Sequence, residues 1–387
     1  MKQQALPLIA LSTLALCALG RSAAAQAPTF VKIQEKSSFA FAFPGIGIKS
    51  GGLSAFRDTQ PERIRTGTGT FVSTLVTQGD VAAPTTEILA TLGQADYTGT
   101  LVLSAITATG DAAIFTKAKP YTLIAKRNTP SPDGSFYDTF GPVRIGADTT
   151  VGFLANTGAS FSPAEQSFGA LFGKLNGGVT ALLARVGQFI PDSGVTLSRF
   201  SNAATQLSIA GGRAAFIAEY DPTTARRGIF VVNASGTTPP QTYAIVGTPN
   251  PADGVFDRFD EVATNASGSI AFTGHGTGGT ENGLWINFQK VAGTGFLLDG
   301  SFSYTVSNIN LNALGTATFF TIIGTKPGIY AVRNSVIKPV IRKGDTLFGA
   351  TVVSLSLPLT HLNDNNQVLF NYTLNNGKAG VAVATLP

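Results

Sequence analysis

Residues 265–272 read Asn265-Ala266-Ser267-Gly268-Ser269-Ile270-Ala271-Phe272, a polar turn with glycine followed by a β-rich apolar segment that ends in a small residue and an aromatic. Asn312, Gly315, Thr318 and Phe319 repeat this frame closely, and Asn363, Asn366, Leu369 and Phe370 keep its turn residues and terminal phenylalanine. Asp96, Gly99, Val102 and Leu103 make a fourth copy. Gly212, Ala215 and Phe216 make a fifth that lacks the leading asparagine, and weaker copies end at Gly152-Phe153 and Ala42-Phe43. The copies recur about every 55 residues, a period that belongs to repeat architectures.

Each frame is followed by a second signature of a small or aliphatic residue and an aromatic: Ala55-Phe56, Ile114-Phe115, Leu171-Phe172, Ile229-Phe230, Leu284-Trp285 and Ile329-Tyr330, with Gly380-Val381 as a degenerate seventh. A third apolar segment then recurs six times, as in Thr122-Leu123-Ile124-Ala125 and Pro339-Val340-Ile341. Turns rich in Gly, Pro and Asp follow it, and proline with a fixed φ beside glycine ends strands there. One more strand, such as 140–145 or 352–357, precedes the next frame. The unit is therefore four short strands, with helical periodicity confined to the first 20 residues and a stretch at 164–173. Four strands per repeat, about seven times over, predict an all-β fold: a single β-propeller of seven four-stranded blades, with six or eight as the neighbouring counts. Solenoid coils are shorter, and tandem sandwiches need roughly 100 residues each. The last unit lacks its third segment, so residues 30–34 are expected to supply that strand and lock the first blade to the last.

Met1-Lys2, an apolar run over 5–19 and Ala23-x-Ala25 form a secretory signal peptide, with cleavage expected after Ala25 and a propeller over 26–387. The apolar run is short for a membrane span of roughly 20 residues, so no span is expected in the mature chain. Loss of the leader removes Lys2 and Arg21 and no acid. The 27 basic residues become 25 against 22 acids, and the formal charge falls from +5 to +3. Basic runs are no longer than Arg226-Arg227 or Arg342-Lys343, which argues against nucleic acid as a partner. The single cysteine, Cys17, leaves with the leader, so the exported chain forms no disulfide.

The complete frame at 265–272, the Gly-Ile-Phe that follows other copies and the Lys343-Gly344-Asp345 turn resemble the bacterial exported tandem-repeat proteins named for the motif NxxGxxAF, some of which carry surface-sorting anchors. The resemblance covers residues 30–386 and implies a structural role for the motif residues and no particular activity. This chain ends Val383-Ala384-Thr385-Leu386-Pro387, without a hydrophobic tail or basic stop.

Few residues suit chemistry. His275 stands among glycines at 273–279 and reads as a loop residue or a ligand contact; His361 reads as a turn residue. Asp257, Asp260 and Glu261 form the densest acidic cluster, and paired carboxylates of this kind serve glycoside hydrolysis. Asp133, Asp192, Asp253 and Asp345 recur at equivalent turns, where a ring of carboxylates would suit Ca²⁺, although aspartate before Gly or Ser is an ordinary turn residue. No cofactor is expected. The expectation is a monomeric, non-enzymatic binding or interaction scaffold for an extracellular protein or glycan, secreted, periplasmic or on the cell surface. A carbohydrate hydrolase or lyase, or a structural surface component, are the alternatives.

Overall fold

A computed structural model describes residues 26–36, 45–58, 62–83, 85–117, 120–158, 168–251, 254–277, 282–302 and 304–387, together with the backbone of 59 and 167. The chain is a seven-bladed β-propeller of four-stranded antiparallel sheets. Blade 1 spans 45–77, blade 2 89–126, blade 3 137–185, blade 4 199–245, blade 5 256–293 and blade 6 307–342. Blade 7 combines 350–385 with 29–36. Within each blade the strands are a to d from the axis outward. The N-terminal strand Thr29–Lys36 pairs antiparallel with Ala379–Thr385, so the expected closure is made: Phe30 lies opposite Ala384 and Val31 opposite Val383. Phe30 packs edge-on against Phe370 at 6.1 Å, and Ile33 is buried.

The repeat signatures are the cores of strands b and c. The terminal aromatic of the frame and the aromatic of the second signature face one another in register: Phe153 with Phe172, Phe216 with Phe230, Phe272 with Trp285 and Phe319 with Tyr330. These pairs are stacked, with ring centroids 5.5 to 5.7 Å apart. A register shift falls at the second signature in blades 2 to 6, for example between Ile229 and Phe230. The extra residue lies in strand d, and the aromatic of strand c lies over the glycine two residues before it because alternate residues of a strand share a face. At Gly228 and Gly283 a Cβ would meet Phe230 and Trp285 within 3 Å. The core is thus a series of layers between blades, as where Val102 and Ile114 of blade 2 meet Val143 and Phe153 of blade 3.

Two expectations change. Ser54–Thr59 is strand b of blade 1, so Phe56, not Phe43, ends its frame, and residues 42 and 43 lie outside the described residues. Phe56 is opposite Arg65, which breaks the aromatic pairing and hides the register in the sequence. The helical pattern at 164–173 is also overturned where it is described: Ser167–Phe168 and Ala170–Lys174 are strands. Ala170, Leu171 and Phe172 are all buried because strand c of blade 3 is covered on both faces, and a continuous apolar run does not distinguish strand from helix. The leader, 1–25, lies outside the described residues. No helix among the described residues is long and apolar enough to cross a membrane.

Candidate axial binding site

Every blade sends the end of strand a, and the turn into strand b, to one mouth of the central channel. There they surround a cavity of about 230 Å³, lined by Lys49, Thr98, Arg144, Asp148, Gly211, Ala266, Ala313 and Asp364 among others. The turn is the polar half of the repeat frame. Its fourth residue is left-handed in all seven blades: Gly52, Gly99, Thr149, Gly212, Gly268, Gly315 and Asn366, with φ between 55° and 120°. Glycine meets this demand without a Cβ clash, and asparagine tolerates it better than most.

The first residue of the turn ties blades together. In blade 5 the Asn265 carboxamide oxygen accepts the N–H of Ser269 at 2.9 Å, while its Nδ2 donates to the carbonyl of Asn312 at 2.8 Å. Asn312 does the same one blade on, accepting from Thr316 N and donating to the carbonyl of Asn363 at 3.0 Å and to Asn366 Oδ1 at 2.9 Å. Asn363 accepts from Gln367 N and donates to the carbonyl of Lys49 in blade 1 at 2.8 Å. Blades 2 to 4 are tied to the next blade by other groups. Thr98 donates to Gly146 O at 2.9 Å, Asp148 accepts from Gly212 N at 2.6 Å, and Ser208 accepts from Thr264 N at 3.0 Å. The motif asparagines are therefore buried inter-blade clasps.

Arg144 lies at the base of this cavity and also lines a smaller one below it. Its Nε is 3.2 Å from Asp96, which is fully buried and also accepts the N–H of Ile145; its Nη2 donates to Thr360 of blade 7 at 3.3 Å. A buried guanidinium needs such a counter-charge. His361 is buried rather than in an exposed turn: Nδ1 donates to Pro358 O at 2.7 Å, so Nε2 accepts from the Thr318 hydroxyl at 2.8 Å. Burial, with the charge of Arg144 adding to it, lowers its pKa to about 4, so the ring is neutral at pH 7. Glu261 accepts from Ile309 N at 3.0 Å, and burial raises its carboxyl above the usual range. Arg144 carried one signal in the sequence, as a lone charge between Val143 and Ile145. His361 and Thr360 carried none.

The residues singled out from sequence lie at the other end of the molecule. His275 belongs to strand b of blade 5, Ile270–Gly276, and not to a loop, because its backbone pairs with Arg258 and Asn282. Its Nε2 is 2.9 Å from Asp260, which also accepts from Arg258 Nε at 2.6 Å. Burial raises the Asp260 pKa, but His275 and Arg258 outweigh it and hold the carboxyl below its ordinary value. Asp257 is exposed beside them. The register shift between Phe259 and Glu261 separates the cluster, leaving Asp260 with His275 and turning Glu261 to blade 6. Asp133 accepts from Ser131, Ser135 and Thr157; burial raises its pKa, yet these bonds bring it down to about 2. Asp192 accepts from Thr242, and Asp345 from Arg342 N. Asp253 lies outside the described residues. Among those described, no three His, Cys, Asp or Glu side chains gather as a metal site would require.

Residues 89–322 match a family model described as a family of unknown function (DUF7453). No curated protein matches by sequence. Among solved structures, the β-propeller domain of the trilobed protease from Pyrococcus furiosus is 8% identical with a TM-score of 0.52, over 88% of this chain and 95% of that one. That domain has an open velcro topology. Prolyl oligopeptidase B from Galerina marginata is 8% identical with a TM-score of 0.50, over 88% of this chain and 47% of that one. An acylaminoacyl peptidase is 7% identical with a TM-score of 0.51, over 86% and 49%. The chain spans about half the length of these two peptidases, and at such identities the likeness is one of fold alone.

Proposed function

The chain belongs to this family of unknown function, and we propose that it is an exported, non-enzymatic scaffold that binds a partner at the cell envelope through the face bearing the axial cavity. One observation carries the reading. Where the blades converge, the buried asparagine carboxamides of blades 5 to 7 are taken up in bonds to the next turn, and the buried cation, Arg144, is matched by Asp96. Such a site offers fixed polar contacts and shape, not a free acid and base at hydrogen-bond distance from a substrate. The Asp260–His275 pair at the far end is held by Arg258 and supports local structure. The leader pattern and the resemblance to NxxGxxAF proteins support export.

Expression with the leader in a bacterial host tests the first half: the chain should leave the cytosol and begin at Gln26, and recovery in the cytosol with Met1 intact would contradict export. Glycan and peptide arrays probed with residues 26–387 test the second. Binding should be lost on Ala313→Trp, which fills the cavity mouth, while the melting temperature is retained. An absence of signal on every array would count against a binding scaffold.

A further inference from the structure

Charge is distributed unevenly between the two ends of the propeller. Surface ion pairs gather at the end away from the axial cavity, among them Arg57–Glu62, Lys126–Glu87, Arg127–Asp138, Arg227–Glu219 and Arg342–Asp299. At the cavity end, Lys49, Arg213, Arg333 and Lys338 are exposed, and none has an ion pair among the described residues. The acids described there are Asp148 and Asp364, which accept backbone N–H groups of Gly212 and Ala313. The opposite end also has exposed cations without an ion pair among the described residues, Arg185, Arg226, Lys326 and Lys343, but acids such as Asp221, Asp257 and Asp345 stand among them, so the net positive charge lies toward the cavity face.

The same face carries apolar side chains at its turn tips. Phe71 is 60% exposed, Val179 85%, Leu314 49% and Val336 56%. They come from blades 1, 3 and 6 and the cations from blades 1, 4 and 6, so blades 1 and 6 carry both kinds; the opposite end exposes apolar side chains too, such as Phe136, Phe189 and Phe302, and it is charge that sets this face apart. We propose that this face docks peripherally on an anionic lipid surface, the cations meeting headgroups and the apolar tips entering the interface. Placement selects this occupant: a polymer chain would need its cations along one groove, whereas a sheet of headgroups meets charges carried by three separate blades all at once. The proposal specifies the envelope partner of the scaffold reading and rests on it.

Flotation of purified residues 26–387 with vesicles tests it. The chain should float with phosphatidylcholine vesicles containing about 30% phosphatidylglycerol at about 0.1 M salt, stay behind with pure phosphatidylcholine, and be released near 1 M salt. The double reversal Lys49→Glu with Arg213→Glu should lower the partition coefficient about tenfold or more. Phe71→Ser with Val179→Ser should lower it by less, and Lys326→Glu, at the opposite end, should leave it unchanged; circular dichroism would verify that each variant folds. Equal flotation with both lipids, or wild-type flotation of the double reversal, would overturn the proposal. So would capture by soluble polygalacturonate with no vesicle binding, which assigns the face to acidic polysaccharide. An exported chain that ignores vesicles sinks the lipid proposal alone; a chain that stays in the cytosol sinks the scaffold reading beneath it.

Discussion

Blades 5 to 7 and blades 1 to 4 solve one problem with different residues. In every blade the turn facing the channel presents a left-handed fourth residue, and in blades 2 to 7 a side chain in or beside that turn bonds the next blade. In blades 5 to 7 the same carboxamide closes its own turn and reaches the neighbour. In blades 2 to 4 the link passes through Thr98, Asp148 or Ser208. Backbone geometry is therefore the invariant, and asparagine is one way of meeting it, favoured because a single carboxamide both accepts and donates.

The two sets meet where Asn363 binds the Lys49 carbonyl, and the largest effect should come from weakening that junction. Deleting residues 26–36 removes the outer strand of blade 7, and the melting temperature should fall by more than about 10 °C in calorimetry; an unchanged value would mean that strand closure contributes nothing. Next comes Asn312→Ala, which leaves Thr316 N without a partner in a buried site and removes the donor shared by the Asn363 carbonyl and Asn366 Oδ1, at about 3 kcal/mol in urea unfolding. His361 should produce a pH effect of similar size. Its folded pKa of about 4 lies below the ordinary 6.5, so the unfolded chain takes the proton first. Stability is complete above pH 6.5 and should fall by about 3 kcal/mol as pH drops to 4. His361→Gln should flatten the curve in that window, and an unaltered slope would assign the effect elsewhere.

Smaller changes sharpen the comparison. Asn265→Ala, which loses one acceptor and one donor bond, should cost about 2 kcal/mol. Asp148→Ala in the exposed turn of blade 3, which takes an acceptor from Gly212 N and from Thr150, should cost about 1 kcal/mol, since water reaches the place of the exposed carboxylate. Equal costs at Asn265 and Asp148 would show that burial, and not bonding alone, had been overrated.

The contrast also explains what the sequence made legible. Strands b and c are buried on both faces and paired through aromatics, so Phe153 with Phe172 and Phe272 with Trp285 marked the repeat, its period and the missing strand that Phe30 and Val31 fill. Blade 1 was misaligned because Arg65 stands where an aromatic does elsewhere. The axial site was mostly hidden, because its residues come from seven turns and converge only when the ring closes. Arg144, Thr360 and His361 are ordinary in their local sequence and acquire meaning from Asp96 and Thr318 in other blades. The acidic cluster at 257–261 was legible as composition, but a one-residue register shift decides which way each carboxylate turns.

The repeat asparagines hold the ring together, and the rim of the same face is the proposed docking surface. Urea unfolding and vesicle flotation measured together on Asn312→Ala and Arg213→Glu test it most directly. The account predicts that Asn312→Ala loses about 3 kcal/mol of stability and still floats with anionic vesicles, and that Arg213→Glu keeps wild-type stability and floats markedly less. An Asn312→Ala protein of unchanged stability that no longer floats would contradict it.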